Sequence, residues 1–214
     1  MKNTTTYKCS YCKTINCKSK EDSKLPVFCP MINSEDILEN TFKTYIENEQ
    51  IQTLALEASR NESEGYFKWT RIEETLNFAH RLRINNIGIA HCIGLAKEAQ
   101  IVHKIFHSNG FKVNSICCKV GKIDKEKLGL KNHEKVVPGQ YESACNPIAQ
   151  AKILEKAGCE LNILMGLCIG HDSLFFMHTK TLTTVLVVKD RVLGHNPVAA
   201  LYTSHSYYRN LKNR

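Results

Sequence analysis

From Ile87 onward the chain alternates short apolar runs with stretches of helical spacing, and this alternation restricts the fold more than any other feature. An apolar run leading straight into a helical stretch, several times over, is the grammar of strand–helix–strand units, whose strands lie parallel with helices on both faces. The run IGIAH at 87–91 predicts a first strand, and Leu95, Ala99, Val102 and Phe106 a helix that ends at Asn109-Gly110. Residues 111–118 read as a second strand, 147–156 as a helix stopped by Gly158, 161–167 as a third strand and 183–188 as a fourth. The predicted fold class is therefore α/β, a three-layer sandwich with a mostly parallel sheet of at least four strands.

Upstream the pattern is helical. Asn33 or Ser34 can cap a helix that carries Ile37, Leu38, Phe42, Tyr45 and Ile46 on one stripe, and residues 51–60 and 72–82 repeat the spacing. Before them, a segment closed by Pro26 and Pro30 holds few apolar side chains but four cysteines, Cys9, Cys12, Cys17 and Cys29. Such a segment folds only if something replaces the missing core, and a metal ion does so. The expected organisation is a Cys-rich metal-binding knuckle at 1–32 and an α/β domain with a helical N-terminal part at 33–214.

In an open parallel sheet, ligands sit outside the carboxyl ends of the strands. Cys92 follows the first predicted strand, Cys118 ends the second, Cys145 precedes a helix start and Cys168 follows the third strand. A single buried cysteine is most often just a small apolar residue, but four at one edge point to a site. Cys117 and Cys118 are adjacent in an extended segment, so their side chains diverge; Cys118, nearer the turn, is the one expected at the site. Cys159, behind a helix-ending glycine, reads as packing.

Two internal echoes fit this reading. IAHCIGLAKEA matches GLCIGHDSLF across two strand-to-helix turns, and CNPIAQA matches HNPVAAL across two helix starts, where Asn can cap and Pro suits the first helical position. The second echo puts His195 in the place of Cys145, as an alternative ligand. Directly after Cys168, His171 and Asp172 offer a proton carrier beside a carboxylate and are the expected catalytic pair, although Asp172 could equally cap a helix. Lys189 and Arg191 are expected to orient an anion at the same edge.

Composition narrows the classes. The formal charge of +8 invites nucleic acid, yet two four-thiolate clusters would each remove about two units of charge, and the basic residues form no run. Nucleic acid is therefore not an expected partner. No apolar segment long enough for a membrane span or shaped like a signal peptide is visible, so ten cysteines read as reduced thiols in a cytoplasmic setting. Phosphate-loop, dinucleotide and serine-hydrolase motifs do not occur.

The runs CNPIAQAKIL, GLCIGHDSLFF and VVKDRVLGHNPVAALYTSHSYY, together with YKCSYC near the N-terminus, resemble a family of predicted metal-binding proteins of anaerobic bacteria and archaea, defined by a domain of unknown function. The resemblance spans nearly the whole chain. It implies metal binding, an anaerobic setting, and motif positions at Cys9, Cys12, Cys17, Cys92, Cys118, Cys145, Cys168, His171, Asp172, Asp190 and Asn196. Soft thiolate ligands suit iron–sulfur clusters or zinc. The expectation is one or two [4Fe–4S] clusters, with zinc as the alternative at the N-terminal site. The cluster reading implies reductive or desulfurising chemistry on a small molecule with a redox partner; the alternatives are a zinc-binding module without activity, or a thiol enzyme using Cys145 and His171.

Overall fold

Residues 6–20 and 25–213 are described by a computed structural model of the chain, which divides into two units, Met1–Ser63 and Glu64–Arg214. In the first unit, short 3-10 turns at Cys9–Tyr11 and Asn16–Lys18 precede α1 (Pro30–Asn33), α2 (Glu35–Glu47) and α3 (Glu49–Gly65), the last of which runs into the second unit. Ser34 stands at the N-cap of α2, but its hydroxyl bonds the Tyr7 hydroxyl at 2.6 Å instead of a helix amide. The stripe Ile37, Leu38, Phe42, Tyr45 and Ile46 is exposed.

The second unit opens with α4 (Arg71–Arg81), started by a reciprocal capping box between Thr70 and Glu73. Strands β1 (Asn86–His91), β2 (Lys112–Cys117), β3 (Leu161–Met165) and β4 (Leu182–Val187) alternate with α5 (Ala96–Ser108), α6 (Pro147–Lys156) and α7 (His171–His178). The strands pair in the order β2-β1-β3-β4, parallel throughout. A short α8 (Val198–Tyr202) and a 3-10 turn at Arg209–Asn213 follow.

The side-chain alternation of the two central strands builds both faces. Ile87 and Ile89 of β1 with Leu161, Ile163 and Met165 of β3 pack against α4 and α5, where Phe106 is fully buried. Ala90 and Leu164 point the other way, onto Ala151 and Leu154 of α6 and Phe175 of α7. β1 and β3 are buried at every residue whereas β2 and β4 are only partly buried, as central and edge strands of a covered parallel sheet must be. The three-layer α/β architecture is thus the one the alternation predicts. Among the described residues, no helix is long and apolar enough to cross a membrane.

The order β2-β1-β3 places a topological switch point between β1 and β3. The chain leaves β1 for α5 on one face and leaves β3 for α7 on the other, so a crevice opens at the carboxyl ends of these two strands. The two CIG triplets of the sequence echo, at 92–94 and 168–170, flank it.

Candidate functional site

Main-chain hydrogen bonds pin three distant segments at this crevice. The Cys92 amide donates to the Met165 carbonyl (3.0 Å), the Cys118 amide to the His91 carbonyl (2.9 Å), and the Asn146 amide to the Cys118 carbonyl (2.7 Å). Asn146 also caps α6 by accepting from the Ala149 amide (3.0 Å), with Pro147 at the first helical position. Beneath them Gln150 is fully buried, and its Nε2 donates to the Ile116 (2.7 Å) and His91 (3.2 Å) carbonyls, tying the ends of β1 and β2 together.

This scaffold brings Cys92, Cys118 and Cys145 into one cluster. The sulfurs of Cys118 and Cys145 lie 3.7 Å apart. The Cys118 sulfur, 2% exposed as a residue, also accepts from the Ile93 amide (3.3 Å). The Cys92 sulfur accepts from Lys189 Nζ (3.2 Å) and the Gly94 amide. Of the adjacent pair, Cys118 therefore reaches the cluster; Cys117 is partly buried beside it.

The thiols share protons unequally. Bonds to Cys145 and Cys92, with burial, push Cys118 well above the usual thiol range. A hydrogen bond from Cys118 brings Cys92 down to about 4, assisted by the Gly94 amide and Lys189. Cys145 falls to about 5, again chiefly through Cys118, with the Lys119 ammonium adding to the effect. The innermost sulfur keeps its proton while its neighbours become thiolates, the form that binds soft metals and attacks electrophiles.

Cys168 follows β3 and takes a hydrogen bond from Arg191 Nη2 at 2.9 Å. It shares with Cys145 the wall of a cavity of about 900 Å³, to which Lys119, Lys125, His171 and Arg191 also contribute. Lys189 and Arg191, expected to face an anion, thus each rest against a cysteine sulfur. Among the described residues, no three His, Cys, Asp or Glu side chains converge closely enough to hold an ion as they stand. A third ligand beside Cys118 and Cys145 requires Cys92 to turn from Lys189, or Cys168 from Arg191.

The buried Nδ1 of His171 has no hydrogen-bond partner among the described residues. Asp172 does not orient the imidazole through that atom; its Oδ1 accepts from the Ser173 amide (2.8 Å) at the start of α7. His195 is turned back on its own loop, with Nδ1 accepting from the Asp190 amide (3.1 Å), while Asp190 Oδ1 holds the amides of Val192 and Leu193. Cys159 is buried near Asn86 Oδ1 (3.8 Å), and burial raises its thiol.

In the first unit, Cys9, Cys12, Cys17 and Cys29 all line one cavity of about 240 Å³. The Cys12 amide donates to the Cys9 carbonyl (3.0 Å), closing the CxxC turn, and the Cys29 amide donates to the Pro26 carbonyl (2.8 Å). The Thr14 hydroxyl, 3.4 Å from the Cys12 sulfur, lowers that thiol together with the Ile15 amide.

Residues 122–144, to which the sequence pattern assigns neither an element nor a site, form much of the cavity wall. This excursion between β2 and α6 is held by an antiparallel bridge between Asp124 and Ser143, by the Lys125–Glu142 pair (2.5 Å), and by Lys135, whose Nζ meets Glu126 (2.6 Å) and the Gln140 carbonyl (2.9 Å). No apolar periodicity marks it; its only sequence signal is interleaved Lys and Glu between glycines.

The family model described as protein of unknown function (DUF1847) matches residues 29–186. The uncharacterized protein MJ0455 of Methanocaldococcus jannaschii is 42% identical over 198 residues, which cover 92% of this chain and 95% of that protein.

Proposed function

The chain belongs to this family of proteins of unknown function, and we propose that it is a metal-binding protein whose switch-point thiols hold a thiolate-ligated centre open to the large cavity. The observation that carries the reading is the meeting of Cys92, Cys118 and Cys145, borne by three separate segments. Packing does not ask for cationic side chains on sulfur, yet Lys189 bonds Cys92 and Arg191 bonds Cys168. Those cations offset the negative charge that a multi-thiolate centre carries.

The spacing of the sulfurs bears on the occupant. Two thiolates on one tetrahedral zinc, with bonds of about 2.3 Å, stand about 3.8 Å apart, close to the 3.7 Å between Cys118 and Cys145. A four-iron cluster assigns its cysteines to different irons and needs wider separations. The spacing thus favours a single soft ion shared by Cys118 and Cys145, with Cys92 or Cys168 completing the set. The N-terminal four-cysteine cavity is a second, structural centre in this account, for zinc or a cluster.

Replacement tests the reading. In protein prepared without oxygen, Cys118→Ser loses the switch-point metal while Cys117→Ser keeps it. Equal metal content in the two variants contradicts the proposal.

A second reading is favoured by the position of Cys145, which lines the cavity just ahead of α6. In it Cys145 is a nucleophile and His171 its base. Selective alkylation of that one cysteine in a protein that binds no metal distinguishes it.

A further inference from the structure

The large cavity carries on its wall two cations that have no carboxylate partner among the described residues. Its two wall carboxylates are committed within residues 119–145: Glu142 accepts from Lys125 Nζ (2.5 Å) and the Val137 amide (2.6 Å), and Glu134 from the Lys131 amide (2.7 Å). Arg191 and Lys119 form no ion pair with a carboxylate among the described residues. Lys119 Nζ spends one bond on the Ser143 carbonyl (2.5 Å) and another on the Cys145 sulfur, and Arg191 spends one on the Cys168 sulfur (2.9 Å). A guanidinium has five donors in a planar fork and an ammonium three, so both groups retain donors. They stand on the same wall as Cys145, Cys168 and His171, and at about 900 Å³ the space matches cavities that take whole small molecules.

We infer that this cavity binds a small organic oxyanion, a carboxylate or phosphate monoester, whose charged group is held between Arg191 and Lys119 and whose body lies over Cys145 and His171. Two cations without carboxylate partners in a concave site attract an anion from solution, and the guanidinium fork fixes its plane. A cationic ligand finds no uncommitted carboxylate on these walls. The inference rests on the reading of the thiol cluster as the place of action, but anion binding is read out separately from metal content.

The test is calorimetric titration of the full-length protein, as isolated, with inorganic phosphate and with malonate, alongside metal analysis. At least one probe binds saturably at one equivalent, and Arg191→Gln and Lys119→Gln each weaken it tenfold or more. Lys97→Gln, at a separate cavity beside α5, leaves it unchanged. No saturable binding of either probe at tenfold molar excess and millimolar concentration overturns the inference, as does affinity unchanged in both cavity variants, which marks an adventitious ion only. Loss of metal in Cys118→Ser with anion binding intact leaves this inference standing; metal retained there beside a wild type that ignores both probes defeats both readings.

Discussion

Cys118 and Cys145, 27 positions apart in the chain, hold their sulfurs 3.7 Å apart at the end of the sheet. The contact exists because Asn146 bonds the Cys118 carbonyl and starts α6 in one step, so the residue before it is delivered to the end of β2.

In metal-free protein the contact makes Cys145 a thiolate well below neutrality. Its alkylation by iodoacetamide should follow a midpoint near 5 instead of the ordinary thiol value of 9.0. Because the folded-state value is the lower one, this group's contribution to stability is complete above the unfolded value and disappears as pH falls through about 5. Cys118 has the opposite sign: raised in the folded state, it opposes folding as pH rises past the unfolded thiol range. Cys92, lowered to about 4, adds a contribution of the same sign, so stability of the metal-free protein should climb from pH 6 to 8, and Cys145→Ser should make that climb clearly shallower in thermal unfolding. The same slope in the variant contradicts the assignment.

Gln150 holds the floor of the site. Gln150→Leu leaves the His91 and Ile116 carbonyls without their side-chain donor and should cost about 2 kcal/mol in chemical denaturation. It should also loosen the Cys92–Cys118 region, read as faster amide exchange at Cys92 and Cys118. A stability loss under about 0.5 kcal/mol would mean that the backbone holds the strand ends alone.

Gly88 lets two elements approach. A Cβ there would strike the fully buried Asn162 Oδ1 and stand 3.1 Å from Leu154. Asn162 is tethered through its Nδ2 to Thr179 (3.2 Å), so it cannot simply swing away. Gly88→Ala should destabilise by about 1–3 kcal/mol, measured by urea unfolding.

The two Asn-Pro starts separate by structure. Asn146 caps α6 through its side chain, so Asn146→Ala should cost about 1 kcal/mol and shift Cys145. At α8 the N-cap is Pro197, Asn196 lies one residue ahead of it, and no side-chain cap bond forms there among the described residues, so Asn196→Ala should stay within about 0.5 kcal/mol. Equal costs, measured side by side, would refute the distinction.

That pair also shows what the sequence could and could not convey. The apolar runs at 87–91 and 161–167 were legible as strands, and the cysteines just beyond them as carboxyl-edge residues; that these two strands are the central, fully buried ones is given by the structure. Strand alternation let only one of Cys117 and Cys118 reach the site; the choice of Cys118 rested on its place nearer the turn, and it is Cys118 whose sulfur meets Cys145. The use of Lys189 and Arg191 as partners of cysteine sulfur depends on how the turn around Asp190 folds, which no periodicity encodes. The wall built by residues 122–144 was illegible for a similar reason: it is stabilised by pairs such as Lys125–Glu142, whose partners are chosen only once the loop has closed. The pairing of His171 with Asp172 was suggested by adjacency, but residues next to each other at a helix start point apart, and Asp172 bonds the helix instead.

The most direct test of the central claim is the metal content of a chain in which Cys9, Cys12, Cys17 and Cys29 are all serine, purified without oxygen and assayed for zinc, iron and acid-labile sulfide. With the N-terminal ligands gone, the account predicts at least one equivalent of thiolate-bound metal per chain, zinc alone for a single ion or iron with matching sulfide for a cluster. A correctly folded chain with no bound metal would contradict it.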